Sequence, residues 1–566
     1  MRTRSEHQNR TTWLILLGWL ILNALQAAFS ALTEDEAYYW MYSTQLNWGY
    51  FDHPPMIALF ISAGKWIGGE LGVRMVAVLA QVGALWVLWR LACEHWPGPQ
   101  RPLLFFGIAF SIVIFQVFGF VATPDSPLLF FAALFLYAYR RLVLYNRWGD
   151  ALLLGALSAG LLYSKYHGVL LIGFTVLSHP RLLLNPRLYV AGLTGVALFF
   201  PHLWWQYIND FPSFRYHLVE RTQEFKWWYV SEFLLNVFLV YNPLLWPMAW
   251  RAWRHSNWKD PFTRALAVNF AGFLLFFFLS TFRGHVQPQW TVISSVPMLL
   301  MLYAHSLHDA RRTRYLLRVA VVVLPLVLVA RSLLIGEWAP LPNQFFRPEA
   351  FTKKTEALAA GRPVAFSRSY QRASLYAFYT GQLPAFSAGT YKSRRSQFDL
   401  WNGEEQLHLR PVLWVGGQSN PDPAFFMLDR DTITYTEIDT FYAFYKVQPV
   451  ADALPAELKA GQEVRLSLHL YNPYPYELDF SKIARLQIMA VWMDGKKLGC
   501  FVPLQCRLPH LTPGASATLD AGFTAPDELP AGRYRVGFSF QYEDIMPFPA
   551  GNWQMLRLGT GSAEKR

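Results

Sequence analysis

Apolar stretches close to the length of a bilayer-crossing helix recur from residue 12 to about 335, and then they stop. A span takes about 20 apolar residues. In lipid the backbone must satisfy its own polar groups, so runs of this kind fold as helices that cross. Eleven spans are expected, near 12–32, 71–92, 102–119, 127–143, 150–163, 166–179, 188–206, 231–250, 262–281, 290–306 and 316–335. The pair between 150 and 179 is short enough to be tilted or partly re-entrant. At 53% hydrophobic and 16% charged residues, the chain is too apolar for an ordinary soluble protein. Its net charge of +12 lies in short clusters between the apolar runs. A nucleic-acid surface would instead show an uninterrupted basic face.

Those clusters also orient the chain. With a cytoplasmic N-terminus, the inward loops carry Arg90 and Arg101, Arg140, Arg141 and Arg147, Arg181 and Arg187, Arg251, Arg254 and Lys259, and Arg311, Arg312, Arg314 and Arg318. That alternation is the positive-inside pattern. No signal peptidase site follows the first span, so it is expected to stay as an anchor. An odd number of spans then puts the tail outside, in the periplasm.

The outward loop 33–70 is too long for a connector. Thr33 with Glu36 reads as a capping box for a helix beginning at Glu34. Asp52 reads as the cap of a second helix with Pro54 and Pro55 in its first turn. The apolar run from Met56 to Ile67 is too short to span and is expected at the interface. The tail changes character. Residues 336–450 mix helix-like and alternating stretches, as in a small α/β domain. Residues 451–566 carry short alternating runs, 464–470, 486–492 and 534–540, as in an antiparallel β-sandwich. The expected fold is therefore a mainly α polytopic bundle over 1–335 with two domains outside the membrane. Cys500 and Cys506 lie within the sandwich segment, and pairing and non-pairing both stay open.

Glu34, Asp35 and Glu36 complement the dipole of a first helical turn. Yet three acids emerging directly from a span repel one another, and ionisable residues at membrane depth are suspects for function. Asp52-His53 and Asp125, in Thr123-Pro124-Asp125-Ser126-Pro127, have the same two readings, as caps or as site carboxylates. Trp48, Tyr50 and Phe51 suit either an interfacial belt or a stacking surface. Cations gather on the outer side too: Lys165, Arg215, His217, Arg221, Arg283 and His285. Snorkelling to lipid phosphates accounts for them singly. Their clustering against the positive-inside trend argues for an anionic ligand. No Walker loop, Rossmann glycine pattern or HExxH occurs.

Asp35-Glu36-Ala37-Tyr38-Tyr39, Tyr50-Phe51-Asp52-His53-Pro54-Pro55, Pro124-Asp125, Ser164-Lys165-Tyr166, the stretch from Trp204 to Arg221, and Gln287-Pro288-Gln289-Trp290 stand in one order on one side. Together they resemble the GT-C superfamily of polyprenyl-phosphate-sugar glycosyltransferases, nearest the branch of protein O-mannosyltransferases and aminoarabinose–lipid A transferases. The resemblance covers residues 12–335. It implies an inverting transferase that takes a sugar from a polyprenyl phosphate at the outer face of the inner membrane. The acceptor would be a hydroxyl or phosphate of lipid A, another glycolipid, a glycan or a protein. It makes Asp35 the catalytic carboxylate, with Glu36 and Asp125 beside it. The substrate-binding set is Tyr39, Asp52, His53, Lys165, Tyr166, Arg221, Arg283, His285 and Gln289. His53 stands where aminoarabinose transferases have lysine. Some branches hold a divalent metal, here on Asp52 and His217, and others use none. An oligosaccharide ligase of the same superfamily, or a lipid-linked sugar transporter, are the alternatives. A transporter would show inverted repeats and interrupted helices at mid-membrane.

Overall fold

The computed structural model describes residues 2–220, 224–336, 348–367, 369–389, 394–416, 424–428, 431–483, 485–495, 497–542 and 553–560, with backbone alone at 2–8, 219–220 and 431. They divide into two compact units, Met1–Phe346 and Arg347–Arg566.

The first unit is helical: α1 (Arg2–Phe29), α2 (Glu34–Thr44), α3 (Met56–Gly64), α4 (Gly69–His95), α5 (Pro102–Ser111), α6 (Val113–Val117), α7 (Asp125–Tyr145), α8 (Trp148–Ser164), α9 (Gly168–Ser178), α10 (Pro186–Ile208), α11 (Pro212–Arg215), α12 (Trp227–Val240), α13 (Trp246–Arg254), α14 (Pro261–Ser280), α15 (Ser295–Ser306) and α16 (Ala310–Ile335). Six of these, α1, α4, α7, α10, α14 and α16, are long and apolar enough to cross a membrane. The chain is a multi-pass membrane protein.

The other five expected spans are shorter or broken. Residues 150–163 and 166–179 become α8 and α9, of 17 and 11 residues. The 290–306 stretch starts as a 3-10 turn, Pro288–Ser294, before α15. Asn242 takes a left-handed φ of 69° ahead of Pro243 and parts α12 from α13. Ile112 is extended and splits α5 from α6. Carbonyls around that break are met by side chains: Gln116 Nε2 donates to Phe110 O at 2.6 Å, Asn242 Nδ2 to Ser111 O at 3.0 Å and Arg331 Nη2 to Gln116 O at 2.7 Å. Irregular backbone at membrane depth persists only with such partners. Val296 to Tyr303 of α15 are all buried, so this helix lies in the interior and shows no polar face.

In the second unit, α17 (Pro348–Ala359) and α18 (Tyr370–Thr380) accompany a sheet ordered β2-β1-β3-β5-β4. Here β1 (Val364–Ser367), β2 (Phe386–Ala388) and β3 (Val412–Val415) run parallel, and β4 (Ala424–Leu428) and β5 (Asp431–Ile438) close the edge as an antiparallel pair. Beyond them lie β6 (Val450–Ala451), β7 (Glu457–Lys459), β8 (Glu463–Tyr471), β9 (Leu478–Asp479), β10 (Gln487–Asp494), β11 (Lys497–Pro503), β12 (Gln505–Cys506), β13 (His510–Leu511), β14 (Ser516–Thr524), β15 (Gly532–Gln541) and β16 (Gln554–Gly559). They form a five-stranded sheet, β11-β10-β15-β16-β7, a four-stranded sheet, β12-β14-β8-β6, and the small pair β13-β9. The three alternating runs seen in the sequence are β8, β10 and β15. One apolar core runs from Ala365 to Leu558 through both the α/β and the β parts, with Phe441 and Phe444 inside it. Cys500 on β11 faces Trp492, and Cys506 on β12 faces Ala521. They belong to different sheets and are not bridged.

Candidate active site

The capping box forms as expected. Thr33 Oγ1 accepts from Glu36 N at 3.3 Å, and Glu36 Oε2 accepts from Thr33 N at 3.0 Å. Glu36 then does much more. Arg74, a charge inside the apolar helix α4, donates from Nε and Nη2 to its two oxygens at 2.6 Å each. Ala122 N donates to Oε1 at 2.9 Å. The remaining Arg74 donors reach the carbonyls of Ala27, Ser30 and Ala31, at the end of α1. Both side chains are essentially inaccessible. Glu36, expected among the catalytic acids, is thus a buried strut tying α1, α2, α4 and the 122 turn together. Its neighbour Asp35 is exposed and points into a cavity.

Asp52 departs from expectation as well. α3 begins at Met56, with Pro55 at the N-cap position and no side chain capping it. The Asp52 carboxylate instead accepts from the hydroxyls of Tyr42 and Tyr38. Tyr42 stacks on Tyr50, 4.0 Å between ring centres, and Tyr50 and Phe51 are buried, whereas Trp48 is exposed. Asp52 is therefore a buried anchor and does not line the cavity. Asp52 and His217 do meet, but through His217 Nε2 and the Asp52 backbone carbonyl at 2.9 Å. Among the described residues no three His, Cys, Asp or Glu side chains converge as a metal would need.

Asp125 opens α7 without capping it, because Lys165 takes its carboxylate: Nζ donates to Oδ1 at 2.8 Å and Oδ2 at 2.9 Å. Both are buried. The short turn between α8 and α9 presents Lys165 here, and it leaves the ammonium one N–H beyond the two given to Asp125.

Around this pair lies a cavity of about 840 Å³. It is lined by Asp35, Tyr39, His53, Asp125, Lys165, Tyr166, His217, Arg283, His285 and Gln289, which gathers ten of the expected residues from five loops. Glu36 and Asp52 stand behind its wall, and Arg221 lies outside the described residues. Tyr39, His53, His217 and Tyr166 form a row of rings, with successive centres 5.5, 6.3 and 5.8 Å apart. Much of the remaining lining is apolar: residues between Val113 and Val121, Val169 and Leu170 of α9, and Phe276 and Phe277 of α14, with Thr123, His167, Ser280 and Gln287 among them. A cavity that combines charged and ring-bearing groups with apolar side chains suits an anionic head on a lipid chain.

His285 Nε2 sits 3.1 Å from Glu232 Oε1 of α12, beside the rings of Trp228 and Tyr229. Gln289 donates to Gln287, which also holds the Trp290 indole. Sequence reasoning missed Arg74, His202 and Glu232. All three carried one available signal, an ionisable side chain in or beside an apolar run.

A sequence profile of the dolichyl-phosphate-mannose-protein mannosyltransferase family matches residues 52–205. The lipid A galacturonosyltransferase RgtD of Rhizobium johnstonii is 30% identical over 245 residues, covering 40% of this chain and 48% of that protein. The match thus spans about half the length of that curated relative. The crystal structure of ArnT from Cupriavidus metallidurans in the apo state aligns over 75% of this chain and 98% of that one, with a TM-score of 0.57 and 14% identity. The same protein bound to undecaprenyl phosphate aligns over the same shares, with a TM-score of 0.56. At this identity the likeness is one of fold.

Proposed function

We propose that this chain, a member of the GT-C superfamily, is a glycosyltransferase that moves one sugar from a polyprenyl monophosphate to an acceptor such as lipid A. The observation that carries the reading is one cavity shared by Asp35, Lys165 and Arg283 with apolar side chains of α6, α9 and α14. The lipid A activity of the partial relative and the undecaprenyl phosphate of the structural neighbour support the same substrates. The loop-charge asymmetry supports an inner-membrane protein whose cavity opens to the periplasm.

In this mechanism the prenyl chain lies along the α6 wall and the phosphate lies by Arg283 and the remaining Lys165 N–H. Asp35 accepts the proton of the acceptor hydroxyl as its oxygen attacks the anomeric carbon. The new glycosidic C–O bond forms as the anomeric C–O bond to phosphate breaks, and the phosphate monoester departs with the electron pair. Cations already aimed at that oxygen stabilise the charge it gains. One base and a good leaving group call for a single displacement, so the anomeric centre inverts. Asp125 keeps Lys165 oriented and balances its charge while the site is empty of substrate.

The test is transfer of labelled sugar from undecaprenyl phosphate to lipid A by the detergent-purified protein, with Asp35→Asn as the control variant. The reading predicts turnover that the variant loses while keeping its fold. Turnover by the variant at the wild-type rate removes Asp35 from the role. Transport across a sealed membrane without any transfer in detergent would mean a carrier.

A further inference from the structure

Behind the cavity wall, a set of buried polar groups has its proton directions decided by two backbone carbonyls, which can only accept. Ser213 Oγ lies 2.9 Å from Tyr50 O, so the serine hydroxyl donates there. Its oxygen is then the acceptor for Gln206 Nε2 at 2.7 Å. Ser213 N donates to Gln206 Oε1 at 3.3 Å, which settles the same amide orientation independently. The Gln206 amide also reaches the Tyr166 hydroxyl at 3.1 Å, as a donor.

The second carbonyl is Trp48 O, 2.7 Å from His202 Nδ1, which must therefore carry a proton. His202 is wholly buried, and among the described residues no carboxylate pairs with it. A charged imidazole there would be uncompensated, so the ring is neutral and Nε2 is bare. Two groups face that nitrogen, Tyr166 OH at 2.9 Å and Gln206 Nε2 at 3.4 Å; the two amide N–H groups go to their shorter contacts, Ser213 Oγ and Tyr166 OH, so the phenol is the donor to Nε2. Gly49 permits this approach: a Cβ at that position would stand 2.4 Å from Trp205 and 2.9 Å from His202 Nδ1. The Tyr166 proton thus points inward, one lone pair is taken by Gln206, and the phenol sits on the cavity surface.

We infer that Tyr166 meets substrate as an acceptor only, reading a hydroxyl or ammonium group of the bound sugar, and that His202 is the positioning residue that imposes this. The inference rests on the glycosyltransferase reading and refines it. Tyr166 has no proton to offer a phosphate oxygen, so the anionic head falls to Lys165 and Arg283. A sugar group that donates a hydrogen bond is preferred beside the row of rings, and its deoxy analogue is discriminated against.

Two measurements test this on the full-length protein in detergent. The first is the tyrosine doublet in ultraviolet resonance Raman spectra, taken as wild type minus Tyr166→Phe. A donating phenol is expected in the wild type and in His202→Gln, whose amide can donate to Trp48 O and accept from Tyr166. It is expected to vanish in His202→Phe. Should Tyr166→Phe fail to fold, the ring-nitrogen shifts of His202, assigned by difference from His202→Gln, must show the proton on Nδ1 alone. A phenol that donates nothing, or an Nε2-protonated ring, overturns the inference. The second is kinetics with undecaprenyl-phosphate hexose or hexuronic acid and their monodeoxy analogues, with lipid A as acceptor. One deoxy donor should lose about three- to ten-fold in kcat/KM, through KM, in the wild type and in His202→Gln but not in Tyr166→Phe. A loss seen only with deoxy acceptors assigns the hydroxyl to the acceptor sugar instead. Equal discrimination by wild type and Tyr166→Phe overturns the inference, whereas absence of transfer from every donor defeats the glycosyltransferase reading and leaves the spectra to decide the geometry.

Discussion

Replacing Arg74 by methionine keeps roughly the side-chain volume of the buried strut and removes its charge. Arg74 donates five hydrogen bonds, two to Glu36 at 2.6 Å and three to the carbonyls of Ala27, Ser30 and Ala31 at 2.6 to 3.0 Å. Glu36 would then be a carboxylate with no counter-ion in a fully buried position. Breaking a buried pair by deleting one partner costs about 3–5 kcal/mol, because the surviving charge is uncompensated. The bare carbonyls add to that. Glu36→Gln should be costly for the mirror reason, an unpaired guanidinium. The double variant removes both charges, so it should fall short of the summed losses by about 1–3 kcal/mol. Because Glu36 also holds Ala122 N and the Thr33 cap, the Arg74 variant should lose transfer activity as well, through a displaced Asp35 turn. The assay is denaturant unfolding of the purified protein in detergent, followed by turnover at a temperature where each variant stays folded. An Arg74→Met protein within about 1 kcal/mol of wild type, or strictly additive single and double variants, would refute the strut.

Lys165→Met should slow transfer on the order of a hundred-fold or more, since it deletes a cation aimed at the departing oxygen. Adding Asp125→Asn should restore stability but not turnover, which separates the ion pair's structural part from its chemical one. In the second unit, burial raises the Glu404 carboxyl from 4.5 to about 7, although Tyr474 OH and Tyr445 N donate to it. The raised value means the folded state prefers the proton. The contribution of this carboxyl to stability is therefore full below about pH 4.5 and is lost as pH rises through 7, by about 3 kcal/mol in total. Hydrogen exchange of the β3 amides, corrected for intrinsic rates, should show this slope, and Glu404→Gln should flatten it. Finally, the unfolded, unreduced protein should titrate three thiols, since Cys93, Cys500 and Cys506 are all free. A titre of one would mean that the sandwich cysteines pair.

Much of this site was legible because its chemistry sits at the ends of apolar runs. Asp35, Lys165 and Arg283 each follow or precede a hydrophobic stretch, and common sidedness was enough to bring them to one cavity. Partners were harder. Asp52 just ahead of Pro54-Pro55 carries a strong capping signal, yet two tyrosines one turn apart on α2, 10 and 14 residues back, outcompete the helix for its carboxylate. Asp125 likewise reads as a cap until Lys165, 40 residues away, is brought beside it. Span counting failed where irregular backbone is rescued by distant side chains. Nothing local marks Ile112 as a break, because Asn242 and Arg331, which serve the carbonyls around it, come from α12 and α16 and their ends. The β strands were readable because one face is buried and period two survives, as in β8 with Val464, Leu468 and Leu470 inward.

The central claim is that one cavity seats a polyprenyl phosphate with its head among Lys165 and Arg283 and its sugar facing Asp35. The most direct measurement is an experimental structure of the protein saturated with undecaprenyl phosphate. The account predicts phosphate density within ion-pair distance of Arg283 and Lys165, and the first isoprene units against Val113, Val117 and Phe277. Lipid bound on another face of the bundle, or a phosphate held by groups that do not share the cavity with Asp35, would contradict it.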